Sequence, residues 1–218
     1  MPNNEEIISL TNIALRAPNN DECDKAIKQD LYYFQTQTVV IDDFFADGLI
    51  LDIGGGGEGV IGQLKGKQVV AIDTKKDELL EAAEGPLKLV MDATRLKFLD
   101  SSFNLATVFY SLMYMTAHDH ERVFSEVFRV LKKGGALKIW DVQLTHRKGI
   151  DKPGFVVPVE VVLPDKKIST GYGSYWPKKA YDLDYYVKVA ERTGFKIIER
   201  KQANDSIYLL LSKTTEDS

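Results

Sequence analysis

Residues 49–53 form an apolar run (LILDI) that goes straight into four consecutive glycines, a glutamate and a fifth glycine. A helical pattern follows. Glycine lets the backbone turn sharply and come close to another group with no Cβ in the way, but it loses the most conformational freedom on ordering. Four in a row therefore point to a turn that something uses. A short buried strand, a glycine turn and a helix make the opening of a βαβ unit. Few single features narrow the choice of fold as far.

The rest of the chain continues the pattern. Apolar runs at 68–73 (QVVAID), 87–92 (LKLVMD), 103–110 (FNLATVFY) and 136–142 alternate with helical stretches. Thr74 and Asp77 have the spacing of a capping box for a helix that ends near Gly85-Pro86. The next helix carries Val123, Phe124, Val127, Val130 and Leu131 on one stripe, with Lys132 and Lys133 in its last turn and Gly134 as its stop. Strands that are apolar throughout belong in a parallel sheet covered on both faces. After a helix ending at Gly194, runs at 195–200 and 206–212 are separated by only five residues, which demands an antiparallel hairpin. The expected fold is α/β, a Rossmann-like three-layer sandwich. Its mostly parallel, seven-stranded sheet ends in an antiparallel C-terminal hairpin.

Two segments stand outside the alternation. A helix is expected over 24–45, with Asp24 as cap and Gly48 as stop, because Ile27, Leu31, Phe34, Thr38, Ile41 and Phe45 recur at steps of three and four. A short helix is expected before the break at Pro18. Tyr32, Tyr33 and Phe34 would sit where such a helix covers a ligand, although Phe34 lies on the core stripe. Residues 143–180 are long for a connection and hold two β-like stretches, VVPVEVV and ISTGYGSYW; Pro158 would keep the first at a sheet edge. The organisation expected is one domain over 1–218, with 1–48 as an N-terminal helical cap and 143–180 as an inserted lid or β excursion.

Composition sets further bounds. Lys and Arg total 28 against 32 Asp and Glu, a net charge of −4, which argues against a protein living on DNA and counts against RNA. One cysteine, Cys23, excludes a disulfide framework and a multi-cysteine zinc site. The start, MPNNEEIISL, has no basic-then-apolar leader pattern, and no run reaches the roughly 20 apolar residues of a membrane span. A cytoplasmic enzyme with no membrane span is the expectation. The oligomeric state is open, a homo-oligomer included.

Gly54, Gly56 and Gly59 match G-x-G-x-x-G, and Asp73 lies 19 residues after Gly54, at the tip of the second strand. A carboxylate there accepts both hydroxyls of an adenosine ribose. These two features do not separate NAD from S-adenosylmethionine. Three others favour the latter. Asp52 precedes the glycines, where it suits an ammonium group better than a pyrophosphate. Asp92-Ala93 ends the third strand, where a carboxylate meets an adenine amino group. The segment RVLKKGG (129–135) leads into the fifth strand.

On ILDIGGGGEG, VVAID, VMDA and RVLKKGG the chain resembles the class I (Rossmann-like) S-adenosylmethionine-dependent methyltransferases. It is most similar to their small-molecule methyltransferase-domain type, which includes the ubiquinone/menaquinone-biosynthesis enzymes. The resemblance covers roughly 46–142. It implies S-adenosyl-L-methionine as cofactor, with Asp52 and the backbone of Gly54 and Gly56 holding its methionine part. By the same resemblance Asp73 would take the ribose hydroxyls, Asp92 and Ala93 the adenine, and Tyr110 and Ser111 would line the methyl-transfer site. Asn104 stands where the family often has aspartate, and the glycine loop is one residue longer than the commonest spacing. That length leaves Gly57 and Glu58 as alternatives for the residue facing the cofactor. The chain lacks the Pro-Pro-aromatic segment of amino-methylating DNA enzymes. Asp141 is the one acid after the fourth and fifth strands, which sets a catechol-type magnesium site aside; no metal is expected.

Methyl transfer from a sulfonium is an in-line displacement that needs positioning above all. Should the acceptor have to lose a proton, His118 is the candidate base, with His146 behind it, because imidazole suits proton transfer near neutral pH. Residues 142–180 carry seven Lys/Arg against three acids, with Tyr172, Tyr175 and Trp176 among glycines. This reads as a lid with an aromatic wall and a basic rim for a planar or acidic small molecule, or equally as aromatics packed on a core. Tyr114, Tyr172 and Trp176 are the candidate substrate contacts. Two alternatives remain: a methyltransferase acting on RNA or protein, and a NAD-dependent oxidoreductase or nucleotide-binding module.

Overall fold

The computed structural model describes residues 31–145 and 149–214. The short helix expected before Pro18, the start of the 24–45 helix, Cys23 and His146 lie outside the described residues. The chain divides into two compact units, residues 1–43 with 144–181, and residues 44–143 with 182–218.

The second unit is a seven-stranded sheet. Its strands are β3 (Ile50–Ile53), β4 (Val69–Asp73), β5 (Leu87–Val90), β6 (Phe103–Phe109), β7 (Leu131–Val142), β10 (Lys196–Ala203) and β11 (Ser206–Ser212). They run in the order β10-β11-β7-β6-β3-β4-β5. Strands β3 to β7 pair in parallel and β11 joins antiparallel to β7 and to β10, as expected. The helices are α1 (Val60–Lys65), α2 (Lys76–Glu81), α3 (Ala117–Val130) and α4 (Leu183–Arg192). The chain grows outward from β3 to β4 and β5, then returns to lay β6 on the other side of β3. That reversal makes the crevice at the carboxyl ends of β3 and β6 the place where an open α/β sheet accepts ligands. Full burial of Ile50, Leu51, Ile53, Val69 and Ile72 explains why these strands are apolar throughout. No helix among the described residues is long and apolar enough to cross a membrane.

Three local expectations are corrected. Thr74 and Asp77 form no capping box: α2 starts at Lys76 without a side-chain cap, and Asp73 Oδ1 instead accepts from the Lys75 amide at 2.9 Å. Lys132 and Lys133 are not in the last turn of α3, which ends at Val130; they are exposed residues of β7. The C-terminal carbonyls of α3 are met by Lys213, whose Nζ donates to Phe128 O and Leu131 O at 2.7 Å each. The last hairpin is tighter than expected, because Ala203 pairs with Ser206 and Asn204 turns the chain at φ 54°.

In the first unit the expected helix over 24–45 is replaced, across the described part, by β1 (Leu31–Tyr33) and β2 (Gln37–Val40). Burial alternates along β2, with Gln37 and Val39 in and Thr38 and Val40 out. Thr38, Val39, Val40 and Ile41 are β-branched, which favours a strand once a partner exists. The partner is β8 (Gly154–Val162), more than a hundred residues on, which pairs in parallel with both and antiparallel with β9 (Lys167–Tyr175). Pro158 therefore lies in a central strand, not at an edge. It falls between Val156, paired with Tyr33, and Val159, paired with Gln37. The β9 ladder runs through it, with Pro158 opposite Gly171, but on the β1/β2 side the pairing is interrupted there, so an N–H is not needed on that side.

Candidate active site

The site is built on the second unit, where three strand tips converge. Asp52 is the third residue of β3, 2% exposed, and paired across the sheet with Ala71 and Thr107. Its Oδ1 accepts from the Thr107 hydroxyl at 2.7 Å. Burial pushes its carboxyl up to about 7, with the nearby Asp73 charge adding to the effect and the Thr107 bond opposing it. Thr107 was not foreseen. The only sequence signal was a polar residue inside an apolar strand.

The glycines are demanded by their neighbours. Gly54 adopts φ +70°, and a Cβ there would collide with Ser111 Oγ and lie 2.7 Å from Ser111 Cβ. A Cβ on Gly55 would lie 2.7 Å from Asp52 Oδ2, and one on Gly56 2.6 Å from Glu78 Cβ and 2.9 Å from Asp73 Oδ2. The extra residue of the loop is taken up against α2, since Gly57 adopts φ +61° and donates its N–H to Glu78 O at 2.8 Å. Asp52, Gly54, Gly56, Asp73 and Ser111 are thereby brought together around one turn.

Asp92 lies two residues beyond β5, tied to this edge by the Met91 amide, which donates to Asp73 O at 2.9 Å. Asp92 is exposed, and its Oδ1 accepts from the Thr94 amide and hydroxyl at 2.8 Å each; Ala93 is buried.

Tyr110 differs from expectation. It is 1% exposed, its hydroxyl lies 2.6 Å from Ser206 Oγ, and its backbone adopts φ +47°. Its side chain belongs to the sheet core beside β11, while its strained backbone bends the chain so that Ser111 meets Gly54. Ser111 Oγ donates to Phe109 O at 3.0 Å. A 310 turn over Leu112–Tyr114 follows, and Tyr114 is 38% exposed.

His118 lies in the first turn of α3 with 74% of its side chain exposed, 3.8 Å from Asp119. The buried histidine is its neighbour His120, which sequence reasoning passed over; nothing but its helical phase with Val123, Phe124 and Val127 distinguished it. Asp141 is fully buried at the end of β7. Its carboxylate accepts from the Leu112 amide at 2.9 Å and the Val142 amide at 2.8 Å. Burial pushes it too up to about 7, against those hydrogen bonds.

Tyr172 and Trp176 belong to the first unit. Trp176 packs within an aromatic cluster, with ring centroids 4.8 Å from Phe155 and 5.8 Å from both Tyr32 and Phe34. Tyr172 is a half-buried residue of β9, paired with Val157.

Residues 51–139 match the family model of a methyltransferase domain. No curated protein matches the chain in sequence. Solved structures share the fold at low identity. An S-adenosylmethionine-dependent methyltransferase of Methanosarcina mazei is 20% identical with a TM-score of 0.58, over 79% of this chain and 95% of that one. One of Clostridium acetobutylicum is 16% identical with a TM-score of 0.55, over 97% and 99%. A Thermotoga maritima protein described as a possible histamine N-methyltransferase is 18% identical with a TM-score of 0.57, over 78% and 84%.

Proposed function

We propose that this protein, which carries a methyltransferase domain and has the fold of the S-adenosylmethionine-dependent methyltransferases, passes the methyl group of S-adenosylmethionine to a small-molecule acceptor. The observation that carries the reading is the pairing of a glycine turn with two carboxylates. Asp52 is buried behind the turn and Asp73 stands at the next strand tip. A fully buried carboxyl held near pH 7 with one hydroxyl partner fits a cationic ligand group, whose approach would favour its ionised form. A glycine cradle that any Cβ would fill fits a ligand lying against the backbone. The residues therefore fit the cofactor, with Asp52 and the Gly54–Gly56 backbone toward its amino-acid end. Asp73 is assigned to its ribose and Asp92 with Ala93 to its adenine.

The bound donor supplies an activated methyl group. The protein's share is to hold donor and acceptor in line and keep water out, worth roughly 7–11 kcal/mol in a well-oriented pair. Ser111 and Tyr114, at the two ends of the segment after β6, are assigned to the acceptor side. Tyr110 is assigned a backbone role. His118 is the base for an acceptor that must lose a proton, its imidazole being open to solvent. The net charge of −4 supports a small molecule over RNA, and the basic stretch at 142–180 supports an anionic or planar one. The cytoplasm remains the expected compartment.

Calorimetric titration with S-adenosylhomocysteine, and separately with NAD, tests this. Micromolar binding of the first alone is expected. Binding of NAD alone would overturn the reading in favour of an oxidoreductase. RNA binding that falls steeply with salt would move the acceptor from a small molecule to RNA.

A further inference from the structure

Asp141 and His120 of the second unit are fully buried polar side chains that the proposed reaction does not use, and both close on one residue of the turn after β6. Asp141, at the end of β7, accepts from the Leu112 amide at 2.9 Å. The amides of Ser111 and Met113 also face this carboxylate and oppose the upward push of burial on it. His120, in the first turn of α3, has Nε2 2.8 Å from the Leu112 carbonyl oxygen and Nδ1 2.9 Å from the Tyr185 hydroxyl of α4. A carbonyl oxygen only accepts, so Nε2 carries the proton. Burial disfavours the charged ring, so Nδ1 is bare and accepts from Tyr185. The hydrogen bonds thus form a directed chain from Tyr185 through His120 to the Leu112 carbonyl, while Asp141 takes the Leu112 amide. The turn joins Ser111, pressed on Gly54, to the half-exposed Tyr114.

We propose that Asp141, His120 and Tyr185 are positioning residues of the methyl-transfer site: they hold Leu112 by its amide and its carbonyl and so fix where Ser111 meets the glycine turn and where Tyr114 stands. This rests on the functional reading given above for Ser111 and Tyr114; the clamp itself does not. A strand and a helix each send a side chain to one short turn, and a second helix holds the histidine in place. Without Asp141 the buried Leu112 amide would be unsatisfied, and without His120 the Leu112 carbonyl would keep only the Met115 amide, which donates to it at 2.9 Å.

The test uses 15N-labelled full-length protein. Long-range imidazole spectra are expected to show His120 neutral at pH 6.5 with its proton on Nε2; a proton on Nδ1, or a charged ring, would overturn the proposal. His120→Leu removes the donor, whereas His120→Gln places an amide donor toward the same carbonyl. Exchange of the Leu112 and Met113 amides is expected to speed at least tenfold in His120→Leu and to stay within threefold of wild type in His120→Gln. Affinity for S-adenosylhomocysteine should fall at least fivefold in the first and recover in the second, a rescue that loss of packing alone does not produce. Equal exchange in all three proteins, or unchanged affinity in His120→Leu, would overturn it. Should His120→Leu fail to fold, Tyr185→Phe removes a single hydroxyl. The ring then loses the hydrogen bond to Nδ1, whose resonance shifts while Nε2 keeps its proton, and the two amides exchange at least threefold faster; an unchanged Nδ1 resonance would again overturn the clamp. If wild-type protein does not bind S-adenosylhomocysteine, the functional reading fails, and the tautomer and exchange measurements still decide the clamp.

Discussion

Asp52 and Asp141 sit on strands that flank β6, and both are pushed up to about 7 by burial. A carboxyl whose folded value lies above its unfolded one stabilises the fold fully below the unfolded value, near 3.8, and that contribution is lost as pH rises through the folded value. The free protein is therefore expected to lose thermal stability between about pH 4 and 7 and to level off above it. Asp119 and Glu126 act the other way: Thr116 hydrogen bonds hold the first low and Arg129 the second, so their contribution is lost only as pH falls below the ordinary carboxylate range. Melting curves from pH 5 to 8 check this, and a slope that rises with pH would contradict it. Asp52→Asn and Asp141→Asn should each flatten the slope. Gly54→Ala meets a second kind of residue-scale constraint. Its φ of +70° costs a side chain about 1–3 kcal/mol. The new methyl would also displace Ser111, so S-adenosylhomocysteine binding should weaken more than tenfold while the far-ultraviolet spectrum is kept.

At the scale of the element, α3 is the best-specified helix. Thr116 caps it, accepting from the Asp119 amide at 3.3 Å, while Asp119 Oδ2 accepts from the Thr116 amide at 3.1 Å. Thr116→Ala is expected to lower stability by about 1 kcal/mol in denaturant unfolding, the ordinary worth of an N-cap. The same capping pattern at Thr74 and Asp77 does nothing, although its sequence signal is equally good. Asp73, one residue earlier, takes the Lys75 amide instead and turns the chain at the strand tip. The RVLKKGG segment also changes role. Arg129 binds Glu126 and Asp100 and donates to the Leu96 and Phe98 carbonyls, pinning the loop before β6 to α3. His118 and His120 make the same point from the site. Their order in sequence favours neither, and helical phase turns one outward and buries the other.

At the scale of the whole molecule, the described part of the first unit is a small sheet whose aromatic cluster includes Trp176. Trp176→Ala is expected to destabilise that unit by about 2–3 kcal/mol, below the range for a fully buried tryptophan because this one is half-buried. Local unfolding of β1, β8 and β9 by hydrogen exchange, with the seven-stranded sheet still protected, would check it; lost turnover in a fully protected variant would favour the wall of a lid instead. Residue order alone announces the seven-stranded sheet, because its central strands β3, β4 and β6 are buried on both faces and read as near-continuous apolar runs. It also determined the glycine turn and its two carboxylates, since all of these lie within 22 residues and need only local geometry. The remaining features depend on non-local contacts. β1 and β2 have a periodicity that serves a helix as well as a strand, and β8, far along the chain, settles the matter by pairing with them. Tyr110 looks like a site residue until Ser206, 96 residues on, takes its hydroxyl. Asp141 and His120 gain their meaning only where a strand tip and a helix start meet at Leu112. A short-range pattern states what a segment is able to form; which hydrogen-bonding partner it finds is a property of the folded chain.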